Sequence, residues 1–313
     1  MTDNFRCGFV ALVGRTNAGK STLVNALTEQ KVSITSHKVQ TTRNNIRAIV
    51  NVGKEAQIVF VDTPGIHLWL KRALNQVMFD SALAALHDSD CTVMLIDAHA
   101  ALDGKGNIPE LELLLVENLK KAQARTILAI NKVDLLESPN CVLPIIEKYS
   151  EIYPFEQIIP LSALKKQQLD TLTQAVVPLL PVGPQLYPDD LYTDQAERFL
   201  ASEIIRETIL KQTQKEIPYS TVVVIDDFKE NAFKNLIEIT CTIFVERESQ
   251  KAILIGKRGA KIKDLGSHAR ESLSRIFGSK IILNTTVKVK ENWAEDMDTL
   301  RKFGYSVDTE NSK

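Results

Sequence analysis

Gly14-Arg15-Thr16-Asn17-Ala18-Gly19-Lys20-Ser21 matches the spacing GxxxxGK[ST], and the residues on either side decide how the match is read. The apolar run Phe9–Val13 ahead of it reads as a buried strand. Behind it, Ser21–Glu29, which includes Thr22, carries helix-period apolar positions. At a strand–helix junction the glycines let the backbone wrap an anion, so that several N–H groups and a helix N-terminus point at it. In that setting Lys20 reaches the β- and γ-phosphates of a nucleotide, and the Ser21 hydroxyl ligates Mg²⁺. An ordinary glycine turn is the plainer alternative.

The rest of the chain argues against the plain turn. Ile58–Val61, Thr92–Ile96 and Thr126–Ile130 read as further buried strands. Leu74–Leu86, Ile108–Lys121, Val142–Tyr149 and Leu169–Leu180 read as helices. Such alternation predicts an α/β unit, a mostly parallel sheet with helices on both faces. Asp62-Thr63-Pro64-Gly65 follows the second strand, with Ile66 after it. There the Asp can hold Mg²⁺ through water, and the glycine N–H can detect a γ-phosphate. Asn131-Lys132-Val133-Asp134 follows the fourth strand. The Asp134 carboxylate can accept from guanine N1–H and the 2-amino group, whereas adenine offers it an acceptor at N1. This disfavours an ATP-dependent phosphotransferase. Asn131 can brace a neighbouring loop, the Lys132 stem can lie over the base, and Ser162-Ala163-Leu164 can supply an N–H to guanine O6.

Pro178, Pro181, Gly183, Pro184 and Pro188 then crowd one short segment, which predicts an extended linker. Beyond it the order becomes α-β-β-α-α-β. Glu197–Gln212 reads as an amphipathic helix, Thr221–Phe228 and Leu236–Glu246 as strands, Gln250–Ile255 and Ile262–Phe277 as helices, and Ile281–Val289 as a strand. The expected division is residues 1–181, a linker over 182–194, and 195–313. The formal net charge of −1 hides a local excess: Lys251–Lys290 holds ten basic residues against two acidic ones. The four cysteines are scattered with no metal spacing, so buried free thiols are expected. No apolar run approaches the roughly 20 residues that span a bilayer. The N-terminus does not read as a signal peptide, and a cytoplasmic protein is expected.

The four nucleotide motifs resemble those of the Ras-like GTPases, and the finer match, over the whole chain, is to the Era family. Ser36–Arg43 looks like that family's first switch and Asp62–His67 like its second. Tyr187–Arg206, Glu216–Tyr219, Glu246–Lys251 and Ile255–Gly259 look like its RNA module. The α-β-β-α-α-β order with GxxG resembles a type II KH domain, an α+β fold. The chain departs from the family at Thr16 and Ala18, where Pro and Val are common; neither position contributes a side chain to the phosphates. The resemblance implies a P-loop GTPase followed by a KH domain that engages the 3′ region of small-subunit ribosomal RNA during subunit assembly. It also implies some peripheral association with the inner membrane face. In it Thr42 is the switch-one Mg²⁺ ligand and, with Lys20, a catalytic residue. Asn17 has two readings, a potassium ligand or a turn former bonding its own backbone.

Ile255, Gly256, Lys257, Arg258, Gly259, Lys261 and Lys263 are the candidate RNA contacts. Glycines let the backbone approach a sugar-phosphate chain, and the next helix presents its positive end. The alternative is a membrane-associated signalling or cell-cycle GTPase whose basic face meets anionic lipid or a protein, but a lipid-binding face calls for interleaved large apolar residues, and Lys257–Lys263 has few. No oligomeric contact is legible, and a monomer is expected. Ile66 stands where other GTPases carry a water-orienting Gln, and His67 is an uncertain substitute. Unaided hydrolysis should therefore be slow, on the order of 10⁻⁴ to 10⁻² per second.

Overall fold

Each apolar run quoted above becomes a strand of one six-stranded sheet in the computed structural model, which describes residues 4–36, 38, 40–66 and 72–305. The elements are β1 (Arg6–Val13), α1 (Lys20–Thr28), β2 (Ile46–Val52), β3 (Ala56–Asp62), α2 (Ala73–His87), β4 (Cys91–Asp97), α3 (Glu110–Ala122), β5 (Thr126–Asn131), α4 (Leu143–Ile152), β6 (Gln157–Pro160) and α5 (Leu169–Val176). The strand order is β2-β3-β1-β4-β5-β6, parallel throughout except for β2 against β3. Leu23 and Val24 of α1 and Leu172 of α5 close one face, while Ala82 of α2, Leu115 of α3 and Ile145 of α4 close the other. This double cover is why β1, β3, β4 and β5 are almost continuously apolar. All four nucleotide motifs lie at the carboxyl edge of the parallel strands, where such sheets bind ligands.

The strand β2 was not anticipated. It is an edge strand, and its outer edge is covered by the Pro-rich segment. Ile49 N donates to Tyr192 O (3.0 Å), Thr193 Oγ1 to Arg47 O (2.7 Å) and Asn51 Nδ2 to Asp189 O (3.0 Å). The segment is extended, as its prolines require, but docked along its length.

The second unit contains α6 (Glu197–Gln212), β7 (Val222–Asn231), β8 (Leu236–Val245), α7 (Glu248–Ile255), α8 (Ala260–Phe277), β9 (Lys280–Val289) and α9 (Met297–Lys302), the last not foreseen. β8 pairs antiparallel with β7 and parallel with β9. Helix α6 departs from the amphipathic expectation. Its polar residues Glu203, Arg206 and Glu207 are buried alongside Ile204 and Ile205, because α6 packs on its own sheet and also against Lys31, Thr35, Gln40 and Thr41 of the first unit. Among the cysteines, Cys7, Cys91 and Cys241 are buried free thiols, whereas Cys141 is exposed, which corrects the expectation for that residue.

A separate core joins the two units. Leu74, Val77 and Met78 of α2 pack with Val222, Trp293, Leu300 and Tyr305. Trp293 is fully buried, its indole N–H donates to Ser220 O (3.0 Å), and the Arg43 guanidinium lies 5.7 Å from its ring centre. Trp293→Ala is expected to cost about 3–5 kcal/mol of unfolding free energy. Chemical denaturation, followed separately in each unit, should show them uncoupling; an unchanged midpoint would contradict this role for the seam.

Candidate nucleotide and RNA sites

Lys20 opens α1 at 6% exposure, its Nζ donating to Gly14 O (2.9 Å) and Arg15 O (3.1 Å). Burial brings its pKa down to about 8, against the pull of Asp62. Asp62 is fully buried, which pushes its carboxyl up, against Lys20 and the hydroxyls around it. Its Oδ2 accepts from Ser21 (2.9 Å) and Ser33 (2.8 Å), and Ser21 Oγ lies 2.9 Å from Thr42 Oγ1. Asp62 Oδ1, buried, has no hydrogen-bond partner among the described residues. Two hydroxyls and a carboxylate with a spare oxygen are a hard-oxygen set that suits Mg²⁺. Ser33 was not anticipated, since a lone serine carries no spacing signal.

The cleft above them is lined by Thr16, Asn17, Gly19, Thr22, Thr41 and Gly65, among others. Gly65 meets the phosphate loop so closely that a Cβ there would lie 2.8 Å from Thr16 Cα. Not every predicted residue turns toward the cleft. Thr63 is buried and donates to Leu12 O (2.8 Å) inside the sheet, and Pro64 is buried. Ile66 is 4% exposed in the apolar core, so only its backbone reaches the phosphate loop, with Ile66 N donating to Gly14 O (3.3 Å). Ala18 is likewise a core residue. His67, like His37 and Val39 of the first switch, lies outside the described residues.

At the base side, Asn131 Nδ2 donates to Ala18 O (2.8 Å), while its Oδ1 accepts from Ala163 N (2.9 Å). One side chain thus joins the phosphate loop to the Ser162–Leu164 loop. Lys132 is left-handed (φ 66°) and pairs with Asp97 (2.6 Å). Asp134 Oδ1 is buried without a partner among the described residues. Val133 packs against the core, Ser162 is buried, and Leu164 is 72% exposed.

Switch one is stitched to the second unit. Glu207 Oε1 accepts from Lys31 Nζ (2.7 Å) and Thr35 N (2.8 Å), and although burial pushes its carboxyl up, Lys31 holds it below the usual range. Arg206 donates to Gln40 O (3.4 Å) and Thr41 O, and is braced by Glu203 (2.8 Å). Arg43 donates to Thr221 O (2.8 Å) and Tyr219 O (3.0 Å).

In the second unit, α7 ends at Ile255 and a turn over Lys257–Gly259 leads into α8. Gly256 (φ 71°) passes so close to Lys261 that a Cβ would lie 2.6 Å from that residue's Cβ. Lys257, Arg258 and Lys263 are exposed at this turn, Lys261 is half-buried, and Ile255 leans on the core. The ten basic residues do not form one face. Lys280 and Lys288 stand on the side of β9 opposite Ile281 and Val287, which pack under α8, so the cluster at the turn is the smaller set of Lys257, Arg258, Lys261 and Lys263.

Residues 9–132 match a family described as a 50S ribosome-binding GTPase, and residues 216–294 match the KH domain. The chain is 44% identical over 302 residues to GTPase Era of Syntrophus aciditrophicus, covering 96% of both. The chain belongs to the Era family of GTPases. Two solved Era structures superpose with a TM-score of 0.90. An Aquifex aeolicus Era variant bound to GDP·AlF4⁻ is 38% identical, with 96% of this chain and all of that one covered. An Era in complex with MgGDPNP and nucleotides 1506–1542 of 16S ribosomal RNA is 37% identical, covering 96% and 99%. Among the described residues, no helix of this Era-family chain is long and apolar enough to cross a membrane.

Proposed function

We propose that this Era-family GTPase binds the 3′ region of small-subunit ribosomal RNA through its KH domain and acts in small-subunit assembly, with the GTP state controlling how that domain is presented. The observation that carries the reading is the stitching of switch one and the residues just before it to the second unit: Glu207 holds Thr35, Arg206 holds Thr41, and the Thr221 carbonyl holds Arg43. A change of nucleotide that moves Thr42 therefore pulls on the KH domain, and RNA on the KH domain biases the switch. The division falls at residues 1–181, 182–194 and 195–313.

In the GTP complex the backbone of Gly14–Ser21 and Thr22 wraps the phosphates, Lys20 faces the β- and γ-oxygens, and Gly65 offers its N–H to the γ-phosphate. Ser21, Thr42 and, through water, Asp62 would hold Mg²⁺, which neutralises charge on the phosphates when bound. Asn17, left-handed at φ 66°, keeps two readings, a potassium ligand or a turn former bonding its own backbone. Asp134 reads the guanine edge, Ala163 N–H faces its O6, and Asn131 locks the two loops together. The attacking water is oriented by the switch-one backbone and Thr42, since Ile66 is turned into the core. The protein works as a cytoplasmic monomer with peripheral contact to the inner membrane face.

Replacing Lys257 and Arg258 together by Asp inverts two phosphate-facing charges, and phosphate contacts dominate RNA affinity. The expected result is loss of single-strand RNA binding by at least about 100-fold, with GTP affinity unchanged. Filter binding on a single-stranded 16S fragment decides it, and wild-type RNA affinity in the variant would sink the KH assignment.

A further inference from the structure

Glu112, on α3, is a buried carboxyl that no nucleotide motif accounts for, only 2% exposed. The Tyr149 hydroxyl of α4 donates to its Oε2 and lies 3.2 Å from Ala101 O. Arg15 Nη1, from the phosphate loop, lies 3.6 Å from Glu112 Oε1 and 3.5 Å from Ala100 O. The Arg15 backbone meanwhile forms a parallel bridge with Ile66, in which Thr16 N donates to Ile66 O (3.4 Å) and Ile66 N to Gly14 O (3.3 Å). One residue thus has its side chain anchored under α3 and its backbone laced to the start of switch two, directly beside Gly65.

We propose that Glu112 and Tyr149 are positioning residues for GTP hydrolysis: they hold the Arg15 side chain and, through the Arg15–Ile66 backbone pairing, fix the register between the phosphate loop and Gly65. This rests on the assignment of Gly65 to the γ-phosphate. GDP has no γ-phosphate, so the bracket acts on the GTP state and on catalysis and leaves GDP binding alone. Burying a carboxyl costs free energy that an apolar residue there would not, and the contact with Arg15 is what the site receives in return.

The charged and titratable groups facing Glu112 are Arg15 from the phosphate loop, Tyr149 from α4, and Asp97 at the end of β4, itself paired with Lys132 at 2.6 Å. Burial pushes the Glu112 carboxyl up to about 8, Arg15 pulls it down, and Asp97 raises it further. Near neutrality it is mostly an uncharged acid, and as pH rises through about 8 it ionises and grips Arg15 harder. Because the folded value lies above the ordinary 4.5, stability falls as pH rises from about 4.5, and the loss is complete once the folded carboxyl ionises at about 8.

The test is single-turnover GTP hydrolysis with Mg²⁺, on the full chain, for the wild type, Glu112→Gln and Tyr149→Phe across pH. Affinities for GDP and a non-hydrolysable GTP analogue are measured alongside. Expected above pH about 8 is a roughly tenfold slower reaction in both variants and weaker binding of the analogue relative to GDP, with a wild-type rate that rises through about 8 where Glu112→Gln does not. Lys20 titrates in the same range but is intact in both proteins, so the difference between their profiles belongs to Glu112. Equal weakening of GDP and analogue together with a lowered melting temperature would reduce Glu112 to a core residue and overturn the proposal. Superimposable pH profiles would overturn it as well. A Gly65→Ala variant that keeps the wild-type ratio of analogue to GDP affinity would instead remove the assignment of Gly65 on which the proposal rests.

Discussion

Asp134→Asn is expected to lower GTP affinity by at least about 10³-fold and to bring xanthine nucleotides into the site. The carboxylate can accept from N1–H and the 2-amino group of guanine, and its Oδ1 is buried with no partner among the described residues to compete. An amide turned toward the base puts a donor against the 2-amino donor, so one contact is lost and one repulsion created. Xanthine carries a carbonyl at that position and restores the pair. The fold should survive, because Asn131, not Asp134, joins the two loops. Equilibrium binding of GTP and XTP to both proteins decides the matter, and an unaltered preference for GTP would mean the base sits elsewhere.

Thr42→Ala should slow hydrolysis by about 10²–10³-fold while GDP affinity moves only a few-fold. Thr42 is 5% exposed and its hydroxyl meets Ser21 at 2.9 Å, where the proposed Mg²⁺ ligands converge. Ile66→Ala is the contrasting case. It should change the rate modestly yet cost about 2–5 kcal/mol of stability, since its side chain fills the core. His67→Ala completes the set. A large loss of rate confined to that variant would move water positioning away from Thr42.

What could be read in advance follows from range along the chain. That Lys20, Ser21 and Asp62 meet was legible, because each stands in a strand–loop–helix junction whose placement depends on local spacing. Asn131 was legible as a brace for the same reason, although its partners, Ala18 and Ala163, lie far along the chain. Glu207 was not legible, because a glutamate on a helix reads as solvent-facing until Lys31 and Thr35 arrive from a distant segment. Thr63 and Ile66 were read with their motif as cleft residues, yet strand alternation turns Thr63 inward and the apolar core claims Ile66. The basic excess after Lys251 is legible as a count but not as a surface, because charge along a chain does not reveal which side of β9 each lysine occupies.

The docking of residues 189–193 along β2 has a further consequence. An open edge strand is a template on which a second molecule can add its own strand, and proteins guard such edges with charge, proline or a covering segment. Here the guard is the tether between the two units, and Ile49, Arg47 and Asn51 are its fastening points. A protease cut in the tether, or a truncation before it, would do more than free one unit from the other. It would uncover a β edge on the GTPase unit and turn a single chain into a seed for strand-by-strand self-association.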